Sequence, residues 1–209
     1  MMKTLSNSNK SWDDRQNVGR QAVEIFKREA HRQGFVEIIP VGAEFGNEET
    51  HEKLKERNDN TAIMLRHQSD CLGLTKKTTV LLQVKGYPNV YPKFTVQADS
   101  WIWSRNQNLL YRHVAFVFVS IPDEEIYYEW ADLIEIEKNT IYVPQRDWGP
   151  ITWQEEMKKL KKLLPDKIVI SKSHTGGSGT PYFYVDKNKL PMFIDFNNRY
   201  NNPKRWGRF

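Results

Sequence analysis

The sequence predicts a mixed α/β (α+β) domain, with helices flanking a central sheet of mixed strand direction. Three observations carry this. An amphipathic helical pattern over 12–33 stops at Gly34 and leads into FVEIIPV at 35–41. The stretch from Ser69 to Gly86, SDCLGLTKKTTVLLQVKG, has the two-run pattern of a β-hairpin. Residues 114–121, VAFVFVSI, form the most hydrophobic run and read as a central strand.

Residues 1–10 are polar and read as a loose segment. Ser11 precedes Asp14 by three, a capping-box-like start to the first helix. Val18, Ala22, Ile25, Phe26 and Ala30 form its apolar stripe, and Gly34 supplies the C-terminal stop. Pro40 interrupts the following strand and places it near an edge. Residues 42–60 are charged and poor in apolar side chains, as expected of a loop with a short exposed helix over 51–57. Glu44 and His51 either line a site there or are simply solvated. TAIMLR at 61–66 reads as a strand, with His67 three residues before Asp70.

In the hairpin, the turn centres on Lys76-Lys77, so positions whose numbers sum to 153 face each other. That pairs Asp70 with Gln83. Gln83 and Lys85 sit at i and i+2 and share a face. A carboxylate, an amide oxygen and an ammonium therefore share one patch. Oxygen donors suit Mg²⁺, and a lysine beside them suits developing negative charge. The plain alternative is a polar-faced hairpin with three solvated side chains.

These residues carry a resemblance. Asp70, twelve intervening residues, then Gln83-Val84-Lys85 resembles the PD-(D/E)XK nuclease superfamily, in its Q-x-K form. This form is similar to Mrr-type endonucleases. The leading helix and Gly-Phe-strand unit is similar to that of archaeal-type Holliday-junction resolvases. Gln83 stands where most members carry an acid, and Ser69 replaces the motif's proline. The resemblance covers about residues 13–130 and implies a restriction-endonuclease-like αβββαβ core. It implies metal ligation by Asp70, Gln83 and the Val84 carbonyl, joined by Glu24 of the first helix, with Glu29 as second choice. Lys85 would serve the water and the transition state. Mg²⁺ is the implied cofactor, with Mn²⁺ as a substitute, and DNA the implied partner. Gly86, Tyr87 and Lys93, in the loop beyond the strand, would approach the nucleic-acid backbone. A homodimer is expected by analogy with resolvases and restriction enzymes.

Further along, Ala98-Asp99-Ser100 opens a helix carrying Trp101, Trp103 and Arg105. The two Trp rings, at i and i+2, do not share a face. IYYEW at 126–130 returns beside the strand at 114–121. TIYV at 140–143 is a short strand. Thr152 and Glu155 make a capping box for a helix over 153–164, with Lys158, Lys159, Lys161 and Lys162 on its outer side. That face is either solvated or turned to phosphates. Strands follow at 168–171 and 182–185, and a short helix at 190–199. The glycine-rich loop at 174–180 lacks the lysine of a P-loop, so no nucleotide cofactor is expected. The tail 201–209 interleaves Lys204, Arg205 and Arg208 with Trp206 and Phe209, a composition suited to single-strand contacts, with Arg205 the candidate binding residue.

Composition sets bounds on these readings. With 209 residues the chain suffices for one sizeable domain: a core over 11–135 and an extension over 136–200 packed on it. The net charge of +5 is compatible with nucleic acid. One cysteine, Cys71, excludes an internal disulfide framework and fits a reducing cytoplasm. No apolar run approaches the ~20 residues of a membrane span, so an intracellular protein without membrane contact is expected. The function expected is metal-dependent hydrolysis of phosphodiester bonds in DNA, endonucleolytic rather than exonucleolytic. The competing expectation is a non-catalytic nucleic-acid-binding module of the same fold.

Overall fold

A computed structural model describes residues 12–41, 69–76, 78–109, 113–145, 152–173 and 179–196. Within them the chain forms three helices and two mixed sheets. The helices are α1 (Trp12–Arg32), α2 (Ala98–Leu109) and α3 (Trp153–Lys161). The first sheet has the order β1-β2-β3-β5-β6, from β1 (Phe35–Pro40), β2 (Cys71–Thr75), β3 (Thr79–Tyr87), β5 (Val114–Ser120) and β6 (Glu125–Trp130). The second has the order β4-β9-β7-β8, from β4 (Lys93–Gln97), β7 (Thr140–Pro144), β8 (Val169–Ser173) and β9 (Tyr182–Asp186).

The first sheet is organised by β3 and β5, its parallel pair. A parallel pair needs a crossover, and α2 lies within that crossover. Both faces of this pair are covered. Val80, Leu82 and Val84 alternate with Ala115, Val117 and Val119 in a core that includes Ala22, Phe26 and Ala30 of α1. The intervening Leu81, Phe116 and Phe118 enter a second core with α2, α3 and the second sheet. All seven residues of β5 are buried, which accounts for its unbroken apolar sequence.

The hairpin register is the one read from the turn: Cys71 faces Leu82 and Leu74 faces Thr79. Thr75 closes the turn, donating its N–H to the Thr78 carbonyl at 2.9 Å. The expected capping box of α3 is also formed, with Thr152 and Glu155 bonding each other's backbone N–H.

Three expectations change. Gly86 and Tyr87 end β3 and Lys93 begins β4, so none of the three lies in a loop, and β4 pairs with β9 far along the chain. The second sheet is therefore not a purely C-terminal extension: Phe94 stacks on Phe118 with ring centroids 5.0 Å apart. Within the described part of the helix expected over 190–199, a 3-10 turn at Phe193–Asp195 comes first and Phe196 follows with helical backbone; together they seat Phe193 and Phe196 among Phe26, Phe35 and Tyr128. The expected strand at 61–66, the insertion 42–60 with Glu44 and His51, His67, and the tail with Arg205 lie outside the described residues.

Lys187 ties the C-terminal part to the first sheet. Its ammonium lies 2.7 Å from Glu125 and 3.7 Å from Asp123, over the Tyr127 ring. The bond to Glu125 raises the lysine's pKa and lowers the carboxyl's.

Gly86 is where α1 crosses β3. A Cβ there would lie 2.8 Å from the Ala22 Cβ and 2.9 Å from the Val18 carbonyl oxygen. Both obstacles belong to the helix itself and cannot rotate away. Gly86→Ala is expected to destabilise the fold by about 1–3 kcal/mol, read as a lower urea midpoint.

Candidate functional site

Asp70 precedes β2 by one residue, and Gln83 to Lys85 lie on the adjacent β3. Continuing the observed register by one step sets Asp70 opposite Gln83. Asp70 is 6% exposed and Gln83 2%. Asp70 Oδ2 accepts the Val84 backbone N–H at 2.7 Å and lies 3.5 Å from Lys85 Nζ. The carboxylate thus takes over a β3 donor where the β2 ladder has ended. A charge-assisted bond of this kind, removed from solvent, is among the stronger ones in a protein. Lys85 remains partly open to solvent, with its ammonium held beside the carboxylate.

Two buried polar atoms in this stretch have no hydrogen-bond partner among the described residues: Gln83 Nε2 and Ser69 Oγ. An unpartnered buried amide is costly. Rotating the Gln83 amide would present its Oε1 at the same position. The donors gathered here are hard oxygens: the Asp70 carboxylate, the Gln83 amide and the Val84 carbonyl, which leaves β3 on the same side as the bonded N–H. No group of three or more His, Cys, Asp and Glu side chains forms a metal cage among the described residues. The donor types fit Mg²⁺, which keeps several waters and takes few protein ligands.

The structure brings Asp70, Gln83, Val84 and Lys85 together and leaves Glu24, Glu29, Gly86, Tyr87 and Lys93 otherwise engaged. Glu24 is on α1, which covers the β3 face carrying Val80, Leu82 and Val84. Gln83 and Lys85 alternate to the opposite face. Glu24 is 70% exposed and paired with Lys27 at 3.0 Å. Glu29 pairs with Arg32 at 3.0 Å. Gly86 is covered by α1 through Val18 and Ala22. Tyr87 packs on Phe94 and Phe118, and its hydroxyl donates to the Thr95 carbonyl at 2.8 Å. Burial pushes that phenol's pKa upward, against the opposing effect of the Thr95 bond. Lys93 pairs with Glu137. The sequence carried no signal for Ser69 beyond its place in the motif. The strand β4 was signalled by the alternation of Lys93, Thr95 and Gln97 with Phe94 and Val96.

Cys71, beside Asp70, is fully buried. Burial, then the Asp70 charge, push its thiol up to about 12, so it is a protonated core side chain.

Comparison with protein-family models, curated proteins and solved structures gave no match. The site therefore rests on its own geometry. No helix among the described residues is long and apolar enough to cross a membrane.

With the thiol's folded pKa raised from 9.0 to about 12, its protonated form contributes stability below pH 9 that is lost as pH rises toward 12. Native protein at pH 8 is expected to leave Cys71 unreacted with a disulfide-exchange reagent, and urea-unfolded protein to react at once. Rapid labelling of the native state would contradict the buried, protonated thiol.

Proposed function

We propose that this protein is a metal-dependent nuclease of the PD-(D/E)XK type that hydrolyses phosphodiester bonds in DNA, as an endonuclease. The observation that carries the reading is the meeting of Asp70 and Lys85, 3.5 Å apart, beside a buried Gln83 on adjacent strand segments. The order of elements agrees with it. Helix α1, strands β1, β2 and β3, helix α2 and strand β5 come in this order, with β4 of the second sheet between β3 and α2, and the other four strands share one mixed sheet. Apart from the inserted β4, this order supports the αβββαβ core the motif implies.

In this reading Asp70, Gln83 and the Val84 carbonyl hold Mg²⁺, or Mn²⁺ in its place. When bound, the ion would neutralise the scissile phosphate and make its bound water a better nucleophile. Asp70 is aligned for this by the Val84 N–H, which fixes the orientation of its carboxylate through Oδ2. Lys85 is poised to orient the attacking water and to stabilise charge that develops on the phosphate oxygens. Its partial exposure leaves it accessible to a substrate arriving from solvent. Glu24 has no part in this mechanism, since it stands on the helix over the opposite face.

Gln83 favours a second reading, a nucleic-acid-binding module without catalysis. An amide in place of an acid removes one negative ligand from the site, which weakens its hold on a divalent ion.

A cleavage assay separates the two. Wild type is expected to cut linear, supercoiled, single-stranded or four-way-junction DNA with Mg²⁺ or Mn²⁺ and to be silent in EDTA. Asp70→Ala and Lys85→Ala are each expected to lower the rate by at least about 100-fold. Metal-dependent cleavage that survives both substitutions would remove the site. Binding without cleavage by the wild type would establish the non-catalytic module.

A further inference from the structure

We infer that the outer face of α3 is a docking surface for the phosphate backbone of a nucleic acid. The helix carries Lys158, Lys159 and Lys161, and Lys162 caps its C-terminus. All four are exposed. At 100° per residue they fall within an arc of about 160°. The centre of that arc points directly away from the side that packs. Leu160 and Leu164 are buried there, with Trp153 and Met157 packed beside them. Lys167 is exposed on the turn that follows.

The described part of the fold does not spend the charges on this face. Among the described residues none of the four lysines pairs with a carboxylate. Lys161 makes only a long bond, 3.4 Å, to the Ile168 carbonyl. Of the acids on the helix, Glu155 holds the Thr152 N–H in the capping box and Glu156 is buried, while the single exposed Asp166 of the following turn stands against five lysines. By contrast, Lys27, Lys85, Lys93, Lys187 and Lys189 each have an acidic partner.

The spacing itself is unfavourable in the absence of a ligand. Lys158 and Lys162 are at i and i+4, and Lys158–Lys161 and Lys159–Lys162 at i and i+3, where like charges repel. The helix dipole accounts for a cation in the last turn. It does not account for four on one side. A row of anionic oxygens relieves the repulsion, and a polyphosphate backbone supplies one with regular spacing. Lysine suits this role as a mobile point charge that needs no fixed geometry.

From the preceding reading this proposal takes only the ligand class. Its test is therefore binding without metal, which is independent of cleavage. A fluorescent 20-base-pair DNA duplex is titrated in EDTA over a range of salt concentrations. The variant carries Lys158→Gln, Lys159→Gln, Lys161→Gln and Lys162→Gln, and the control carries Lys76→Gln and Lys138→Gln. If all four lysines meet phosphates, the slope of log affinity against log salt should flatten by about 3 to 4 in the variant. Affinity at low salt should fall more than tenfold, with the control unchanged. As a second measurement, acetylation of the wild type read by mass spectrometry should show the four lysines protected by DNA. Protection with loss of binding supports the docking surface, even if no cleavage is ever seen. Unchanged affinity and slope in a folded variant would overturn it, as would equal acetylation with and without DNA. Wild-type binding to phosphatidylserine vesicles but not to DNA would also overturn it.

Discussion

The burial of β3 on both faces constrains the rest of the structure. Its even-numbered side chains from Val80 to Val84 lie under α1, and Leu81 and Tyr87 meet the aromatic core below. A strand so placed must satisfy every backbone donor within the sheet. On one side β5 runs alongside it as far as Tyr87. On the other, the paired residues of β2 reach only Leu82. Beyond that point the Asp70 side chain receives the Val84 N–H. The candidate site is thus the place where a strand ladder passes from backbone to side chain. A carboxylate there serves the fold and brings Lys85 close to it at the same time.

The same burial explains why the two sheets are not separable units. The face of the first sheet turned away from α1 would be bare without β4, β7 and β9. Phe94, Phe183, Val143 and Val185 cover it together with Trp101 of α2. The strand β4 immediately follows β3 in sequence but belongs to the second sheet, so the chain crosses between layers at Tyr87–Pro92. Tyr87, at that crossing, packs against Phe94 and bonds the Thr95 carbonyl. Lys187 then fastens the end of β9 to the β5–β6 turn through Asp123 and Glu125.

Much of this was legible in the residues. The two-residue turn at Lys76-Lys77 and the period of two set the hairpin register, and with it the meeting of Asp70 and Gln83. The stripe of Ala22, Ile25, Phe26 and Ala30 set the face that α1 buries. Glu24 lies off that stripe, and its solvated position follows from helix phase alone. What could not be read was the side of the sheet that α1 covers, and that is what separates Glu24 from Lys85. The strand β4 is masked in the sequence by the strong turn signals of Tyr87–Pro92. Its own alternation is only five residues long, and its partner lies some ninety residues onward. Phe193 and Phe196 are placed against Phe35 and Tyr128 by the 3-10 turn at Phe193–Asp195, a contact that no local pattern announces.

By itself the sequence determined the local elements, the hairpin register and the oxygen and nitrogen groups that meet at its end. These depend on periods of 2 and 3.6 and on turn chemistry, all of which act over a few residues. Tertiary structure alone decided the pairing of β4 with β9, the sharing of one aromatic core by both sheets, and the covering of Gly86 by Val18 and Ala22. Those outcomes depend on which buried surfaces fit one another across long stretches of chain. Shape complementarity of that kind leaves no periodic trace in the residues that achieve it.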